Sequence, residues 1–294
     1  MELMHLAGQS WCIPGRVNVG VYRKGEAVWI VDSGLDDEAG RKIARWIEGE
    51  KLTLRRIVTT HSNADHCGGN AFLRKRTGCS VAATRLEAAV IEHPFLEPLL
   101  LWSARPFGEI TNKFLQSKPS EVDLIIENTG PFDESELEAL PLPGHFIDMI
   151  GVRTPDGVLF TADALFSEEL IDKYSMMFVL DVEAALSTLG FLEKTEATWF
   201  VPSHARPTED IRPLAEVNRA ALLRVSELVL ERCGEPATRE EILKTLSDRF
   251  GLSMSVTEYV LNNAVVGAHL TWLRERGLVF PVVSEGRLLW KKSP

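Results

Sequence analysis

Apolar and polar residues alternate in short runs along most of the chain. In residues 17–34 this pattern flanks a polar tetrapeptide, RKGE, and predicts a hairpin whose second strand ends at Asp32. Further apolar runs predict strands at 54–60, 79–83, 122–130, 137–145, 149–163 and 197–204. Apolar residues at helical spacing lie between several of them, as at 182–194. The alternation favours an α/β (α+β) protein in which two packed sheets are flanked by helices.

Residues 85–118 break this alternation. The segment is helical in character, is interrupted by three prolines and is rich in large apolar side chains between 94 and 107. It predicts a helical insertion. Its apolar residues are consistent with a lid over a substrate, a dimer contact or a part of the core, and the sequence leaves these open.

The strands stop near residue 212, and helical patterns follow. A long amphipathic helix precedes one that begins with a capping box, Thr238 with Glu241, and a third helix is predicted at about 256–276. Two short strands around a turn complete the chain. This order predicts a smaller winged-helix-like domain at 213–294, after a first domain at 1–212 that contains the sheets.

Composition and charge disfavour several classes of function. A net charge of −10 disfavours broad attraction to nucleic acid or anionic lipid, which both require a basic surface. The N-terminus lacks a basic start and an apolar run, and no stretch reaches the roughly 20 apolar residues of a membrane span. The four cysteines show no CxxC spacing. We therefore expect a cytoplasmic protein without a membrane partner.

Residues 59–70, TTHSNADHCGGN, contain the densest group of metal-binding side chains. The turn after a predicted strand can direct His61, Asp65 and His66 to one point, and imidazole and carboxylate are ligands of zinc. Other candidates follow later strands, where the functional sites of layered folds gather: His145, Asp163 and His204. Together these residues predict a metal site.

The motifs HSNADH, GGN, LPGH, TAD and PSH occur in this order and resemble the metallo-β-lactamase superfamily, whose usual signature is HxHxDH with a later His, Asp and His. The resemblance covers about residues 5–210. It implies a four-layer αββα sandwich with a metal cleft at one edge. It also implies two metal sites: His61 and His145 in the first, Asp65, His66 and His204 in the second, and Asp163 bridging them. Asp32 matches a buried acidic position and is expected to support the ligands without binding metal.

Asn63 departs from this signature because it stands where the first site usually has histidine. A neutral carboxamide oxygen is a poorer ligand than imidazole for a borderline metal, so we expect a weaker first site. Three outcomes remain open: one zinc ion at the second site, two ions with Asn63 as a weak or water-mediated ligand, or a harder metal such as iron or manganese.

The resemblance implies a metallo-hydrolase, in which a metal-bound hydroxide attacks and Asp65 orients it and transfers a proton. We expect a small acyl substrate, such as an ester, thioester or lactone, as in hydroxyacylglutathione hydrolases. No basic cluster for a glutathione carboxylate is evident, and the cations expected nearest the cleft are Arg105, Lys113 and Lys173.

Two other functions and a homodimer remain open. A nuclease or phosphodiesterase would use the C-terminal domain to bind nucleic acid. The predicted helix at 256–276 is apolar, however, with Arg274 and Arg276 only at its end, which favours packing against protein. A non-catalytic module would retain a degraded site, marked by Asn63.

Overall fold

The computed structural model describes residues 2–294 and contains two sheets that face each other across an apolar core. The first sheet has its strands in chain order: β1 (Met4–Ala7), β2 (Ser10–Ile13), β3 (Val19–Lys24), β4 (Ala27–Val31), β5 (Thr53–Val58), β6 (Ser80–Ala83) and β7 (Leu124–Ile125). The second has the order β12-β11-β10-β9-β8: β8 (Gly130–Pro131), β9 (Glu138–Pro141), β10 (Ile150–Arg153), β11 (Val158–Phe166) and β12 (Trp199–His204).

Helices flank the sheets and form most of the C-terminal region. They are α1 (Asp37–Gly49), α2 (Ala64–Cys67), α3 (Asn70–Thr77), α4 (Arg85–Glu92), α5 (Leu96–Trp102), α6 (Glu168–Tyr174), α7 (Val182–Leu192), α8 (Arg212–Arg232), α9 (Arg239–Phe250) and α10 (Val256–Glu275). Helices α1 and α3 pack on the first sheet and α7 and α8 on the second. The mixed α/β class and the layered arrangement expected from the sequence are confirmed.

Local sequence explains where these elements begin and what they bury. The Asp36 side chain caps α1 by accepting the backbone N–H groups of Glu38 and Ala39. The buried side chains of α1 include Ile43 and Ile47, which recur at helical spacing and pack on the first sheet.

Three local expectations differ from the structure. The segment 122–130 is not one strand, because β7 pairs with β6 in the first sheet and β8 with β9 in the second, so the chain crosses between the sheets there. The strands β1 and β2 were missed because each has only four residues and includes a polar one, His5 or Ser10. Ser10 is buried, and its hydroxyl donates to Asp156. Helix α6 was missed because it buries none of its residues.

The C-terminal region, residues 212–294, packs on the second sheet through α8. Its helices share a core with Met176, Val179 and Val182. A hairpin of β13 (Val279–Ser284) and β14 (Arg287–Lys292) follows α10, and Ala237 pairs with Trp290 of this hairpin. The helices and the final hairpin were expected from the sequence, whereas the domain boundary near 212 and the winged-helix assignment stay predictions.

The segment 85–118 lies between the sheets and the C-terminal region. Leu101, Ile110 and Leu115 are buried against Val260 of α10. Other large side chains of the segment remain exposed: Phe95, Leu100, Trp102, Phe107 and Phe114. Part of the segment therefore belongs to the core. Across residues 2–294, no helix combines the length and apolarity needed to cross a membrane.

Replacing Leu246 with alanine tests the core of the C-terminal region. The Leu246 side chain is fully buried in α9, so the Leu246→Ala variant is expected to lose about 2–5 kcal/mol of unfolding free energy. Leu288→Ala, at an exposed hairpin position, is the control and should change stability by less than about 0.5 kcal/mol. Denaturant unfolding measures both, and equal losses would contradict the assigned core.

Candidate metal centre

The centre lies where strands from both sheets end. The turn from His61 to His66 follows β5 and leads into α2, and His204 is the last residue of β12. Asp163 lies in the second half of β11, and His145 lies in the loop after β9. All five positions are thus held by, or closely follow, strands of the sandwich.

A buried carboxylate fixes the turn to the first sheet. Asp32 follows β4 with a positive φ of 65° and accepts the Thr60 N–H at 2.8 Å and the Thr60 hydroxyl at 2.9 Å. The same carboxylate accepts from His66 Nδ1 at 2.8 Å. As expected from the sequence, Asp32 lies behind the ligand candidates, and it leaves the Nε2 lone pair of His66 facing the centre.

The glycine pair after the turn permits its close approach to the loop that follows β4. A Cβ atom at Gly68 would overlap the carbonyl oxygen of Leu35, and one at Gly69 would overlap that of Ser33. The Gly69 N–H instead donates to the carbonyl oxygen of Gly34 at 3.1 Å. Any larger residue would push the turn away from Asp32.

The predicted side chains converge. Asp163 lies between three imidazoles, with its oxygens 3.1 Å from His66 Nε2, 3.2 Å from His204 Nε2 and 3.7 Å from His145 Nε2. Asp65 is 3.4 Å from His204 Nε2. The ring of His61 is 4.0 Å from that of His66, measured between centroids. The structure therefore brings together all six side chains that the sequence singled out.

Hydrogen bonds to the outer nitrogens set the direction of each imidazole. His145 Nδ1 donates to the Phe178 carbonyl at 3.0 Å, and His204 Nδ1 donates to the Arg16 carbonyl at 2.8 Å. His61 Nδ1 lies 3.1 Å from the Thr60 hydroxyl, whose proton goes to Asp32. In the neutral form of each ring, Nε2 therefore carries the lone pair and faces the centre.

Unsatisfied atoms indicate that a cation fits this centre. Among residues 2–294, the buried atoms without a hydrogen-bond partner include His61 Nε2, His66 Nε2 and Asp163 Oδ1. Buried polar atoms normally find partners. The donor atoms of two sets, His61, His66 and Asp163, and Asp65, His66 and His204, lie within 4.8 Å of one another in each set. Nitrogen and carboxylate donors at such separations suit zinc and similar metals.

The electrostatics favour a positive charge. Desolvation lowers the pKa of His204, but the neighbouring Asp163 and Asp65 outweigh it and raise that pKa to about 10. Desolvation likewise lowers the pKa of His61, where the carboxylates do not compensate, so its pKa stays well below the usual value. A cation must displace the proton of His204, which makes its binding stronger as pH rises.

Two buried glutamates of the segment 85–118 contact the turn, and the sequence analysis missed both. Glu87 accepts the Ser62 N–H at 2.8 Å and its hydroxyl at 2.7 Å, and also the Asp148 N–H at 2.7 Å. Glu97 accepts from Asn63 Nδ2 at 2.9 Å. Burial raises the pKa of Glu87 to about 6; burial and the charge of Asp65 raise the pKa of Glu97 well above its usual value. An isolated acid within an apolar helical run, as in LEPLLLW, was the available signal.

An open cleft leads from the centre to the surface. Its walls include α1, the segment 85–118 and the first half of α10, with Thr257, Leu261 and Asn262 among the lining residues. Of the three expected cations, Lys113 and Lys173 line the cleft. Arg105 does not, so that expectation was wrong; it lies in an exposed stretch before the 3₁₀ turn that ends at Ile110.

Comparisons with known proteins agree with this architecture. Residues 12–204 match the family described as the Metallo-beta-lactamase superfamily. A hydroxyacylglutathione hydrolase of Bradyrhizobium sp. (strain ORS 278) is 32% identical over 133 residues, which are 44% of this chain and 41% of that protein. The chain thus spans under half the length of the curated relatives it matches.

Solved structures show the same fold over nearly the whole chain. A beta-lactamase domain protein from Burkholderia ambifaria has a TM-score of 0.73 and 18% identity, covering 99% of this chain and 94% of that one. A metallo-beta-lactamase family protein from Thermus thermophilus has a TM-score of 0.73 and 22% identity, covering 99% and 98%. This likeness concerns the fold alone, and it includes the C-terminal region.

Replacing Asp32 with asparagine tests the orientation of His66. An amide in this position must direct its nitrogen to His66 Nδ1, because its oxygen is needed by the Thr60 N–H. The proton of His66 then moves to Nε2, where it blocks a metal. We expect metal affinity to fall about 10–100-fold in Asp32→Asn, as measured by competition with a chelator.

The control is Asp133→Asn. Asp133 is also a buried aspartate, but its partners are Arg56 and the Trp29 indole, away from the turn. That variant is expected to lose stability while it keeps wild-type metal affinity. Unchanged affinity in Asp32→Asn would contradict the assigned tautomer.

Proposed function

Because the chain belongs to the metallo-beta-lactamase superfamily and is a metallo-hydrolase of that fold, we propose that it cleaves an ester, thioester, lactone or related acyl bond. One observation carries the proposal: imidazole and carboxylate donors without partners converge at the floor of an open cleft. Such a site can hold a metal and admit a small substrate beside it.

In this proposal two zinc ions would share the centre, with iron or manganese as the alternatives. The first ion would be held by His61, His145 and Asn63, and the second by Asp65, His66 and His204. Asp163 would contact both, which its distances of 3.1 to 3.7 Å to three imidazoles support. A bound metal supplies Lewis acidity, which polarises the acyl oxygen and acidifies an attacking water.

Asp65 is the proposed proton carrier. Its carboxylate lines the cleft and is the most exposed of the six converging side chains, so it can reach both the attacking water and the leaving group. His204 holds it at 3.4 Å. A carboxylate in this position orients the water, takes its proton and passes that proton to the departing oxygen or sulfur.

We propose that the C-terminal region is winged-helix-like, spans about 213–294 and forms a wall of the substrate cleft. The pairing of Ala237 with the final hairpin supports the winged-helix-like assignment. The residues of α10 that line the cleft support its role as a cleft wall. The charged end of α10 is engaged within the protein, since Arg276 pairs with Glu183 and Trp272 donates to Glu183 at 2.9 Å. A role in nucleic-acid binding is therefore disfavoured. A cytoplasmic location and a homodimer stay predictions.

A substrate panel tests the proposed reaction. Zinc-loaded protein is incubated with p-nitrophenyl acetate, an acyl-CoA, a hydroxyacylglutathione, a lactone and bis(p-nitrophenyl) phosphate. We expect cleavage of acyl substrates that a chelator abolishes, and a kcat lower by about 10²–10⁴-fold in Asp65→Asn. Cleavage of the phosphodiester alone would favour a nuclease, and a protein that neither retains metal nor cleaves any substrate would favour a binding module.

Replacing Asn63 with histidine tests the weaker first site. An imidazole at this position is the better ligand for zinc, so Asn63→His is expected to bind the first ion roughly tenfold or more tightly. Elemental analysis after dialysis gives the metal-to-protein ratio, with Asn63→Ala as the matched control that lowers it. An unchanged ratio in Asn63→His would show that the asparagine does not limit this site.

A further inference from the structure

The amide of Asn63 lies between the side chains of His145 and Glu97. Its Oδ1 lies 2.9 Å from His145 Nε2, and its Nδ2 donates to Glu97 Oε1 at 2.9 Å. A carboxamide has one accepting end and one donating end of nearly equal size, so its partners decide which end faces the centre. The direction of this one side chain therefore determines whether an oxygen ligand is present.

The end of the amide that faces His145 has no proton to share. His145 Nδ1 donates to the carbonyl oxygen of Phe178, so Nε2 of the neutral ring is an acceptor. Asn63 Oδ1 is also an acceptor. Two acceptors 2.9 Å apart repel each other unless a cation lies between them.

The other end is held by a carboxylate that the fold places there at a cost. Glu97 is 3% exposed, and it lies on α5 within an otherwise apolar stretch of the segment 85–118. Burying a carboxylate is unfavourable unless it makes specific hydrogen bonds. Glu97 has one such bond, and its donor is Asn63.

The same segment fixes the neighbouring residue of the turn. Glu87, on α4, accepts both the backbone N–H and the hydroxyl of Ser62. Two buried carboxylates, one on each helix of the segment, thus hold the two consecutive residues that follow His61. This repetition indicates that the segment 85–118 positions the turn as well as lining the cleft.

We infer that Glu97 is a positioning residue that holds Asn63 by its amide nitrogen and so directs the Asn63 carbonyl oxygen to the first metal. The inference rests on the proposed metal centre and assigns a task to a residue outside the predicted ligand set. An oxygen that accepts a hydrogen bond from a ligand also makes that ligand more basic, as the hydrogen-bond partners of metal-bound histidines do. Glu97 thereby compensates in part for the missing imidazole.

Metal binding by Glu97 variants tests this inference without reference to activity. Affinities for the first and second ions are measured by chelator competition with zinc, and the Co(II) absorption spectrum reports the ligand environment. In Glu97→Leu the amide is free to turn, and we expect binding at the weaker site to fall about 10–100-fold. The tighter site, which contains Asp65, His66 and His204, should change by less than about threefold.

Glu97→Gln separates positioning from packing, because it keeps the shape of the side chain and replaces one of its two oxygens with a donating nitrogen. The introduced glutamine can present its amide nitrogen to Asn63 and so turn the Asn63 amide until its nitrogen, and not its oxygen, faces the first metal site. Weaker binding of the first ion is therefore expected. Combining it with Asn63→Asp should restore binding, since a carboxylate at this position presents oxygen in either direction and the introduced glutamine can donate to it. Glu109→Gln, at an exposed position in the same segment, is the control.

The outcomes separate this inference from the proposed reaction. Wild-type affinity for both ions in Glu97→Leu and Glu97→Gln would overturn it, and so would a wild-type protein that binds a single ion. Loss in Glu97→Gln without recovery in the double variant would also count against it. If wild type binds two ions and the variants lose the first, the inference holds even when no acyl substrate is cleaved.

Discussion

The structure depends on holding imidazole nitrogens and carboxylates together at the floor of the cleft, where most of them are buried. This arrangement is unfavourable for the polypeptide alone, since buried acceptors repel one another and lack hydrogen bonds. His61 Nε2, His66 Nε2 and Asp163 Oδ1 show the cost directly. The packed sheets supply the rigidity that keeps these atoms in place, and a cation between them removes the repulsion, which couples metal affinity to folding stability.

Most contacts around the centre hold these nitrogen and carboxylate donors in place. Asp32 adopts a left-handed backbone conformation and directs its carboxylate to Thr60 and His66. The carbonyl groups of Phe178 and Arg16 accept hydrogen bonds from Nδ1 of His145 and of His204. Each contact holds a proton on the outer nitrogen, so that the inner nitrogen of the neutral ring presents a lone pair to the centre. The glycines after the turn allow the close approach that these contacts need.

The segment 85–118 and the C-terminal region form the frame of the cleft. The segment contacts the metal turn through Glu87 and Glu97, and its other end packs on α10 through Leu101, Ile110 and an Asn112 side chain that donates to Thr257. The same helix α10 lines the cleft. The segment 85–118 thus contacts both the C-terminal region and the turn.

The sequence alone determined the layered α/β class, most strands and helices, and the six side chains that converge with Asp32 behind them. These could be predicted because periodicity reflects local burial, and because the motifs stand next to predicted strand ends. The crossing of the chain between the sheets at 122–130, the exposed position of Arg105 and the roles of Glu87 and Glu97 were decided only by the tertiary structure. A glutamate in a helix resembles a surface residue in sequence, and only the packing of the segment against the turn brings its carboxylate to Asn63. The direction of an amide likewise depends on partners distant in the chain, which no local pattern encodes.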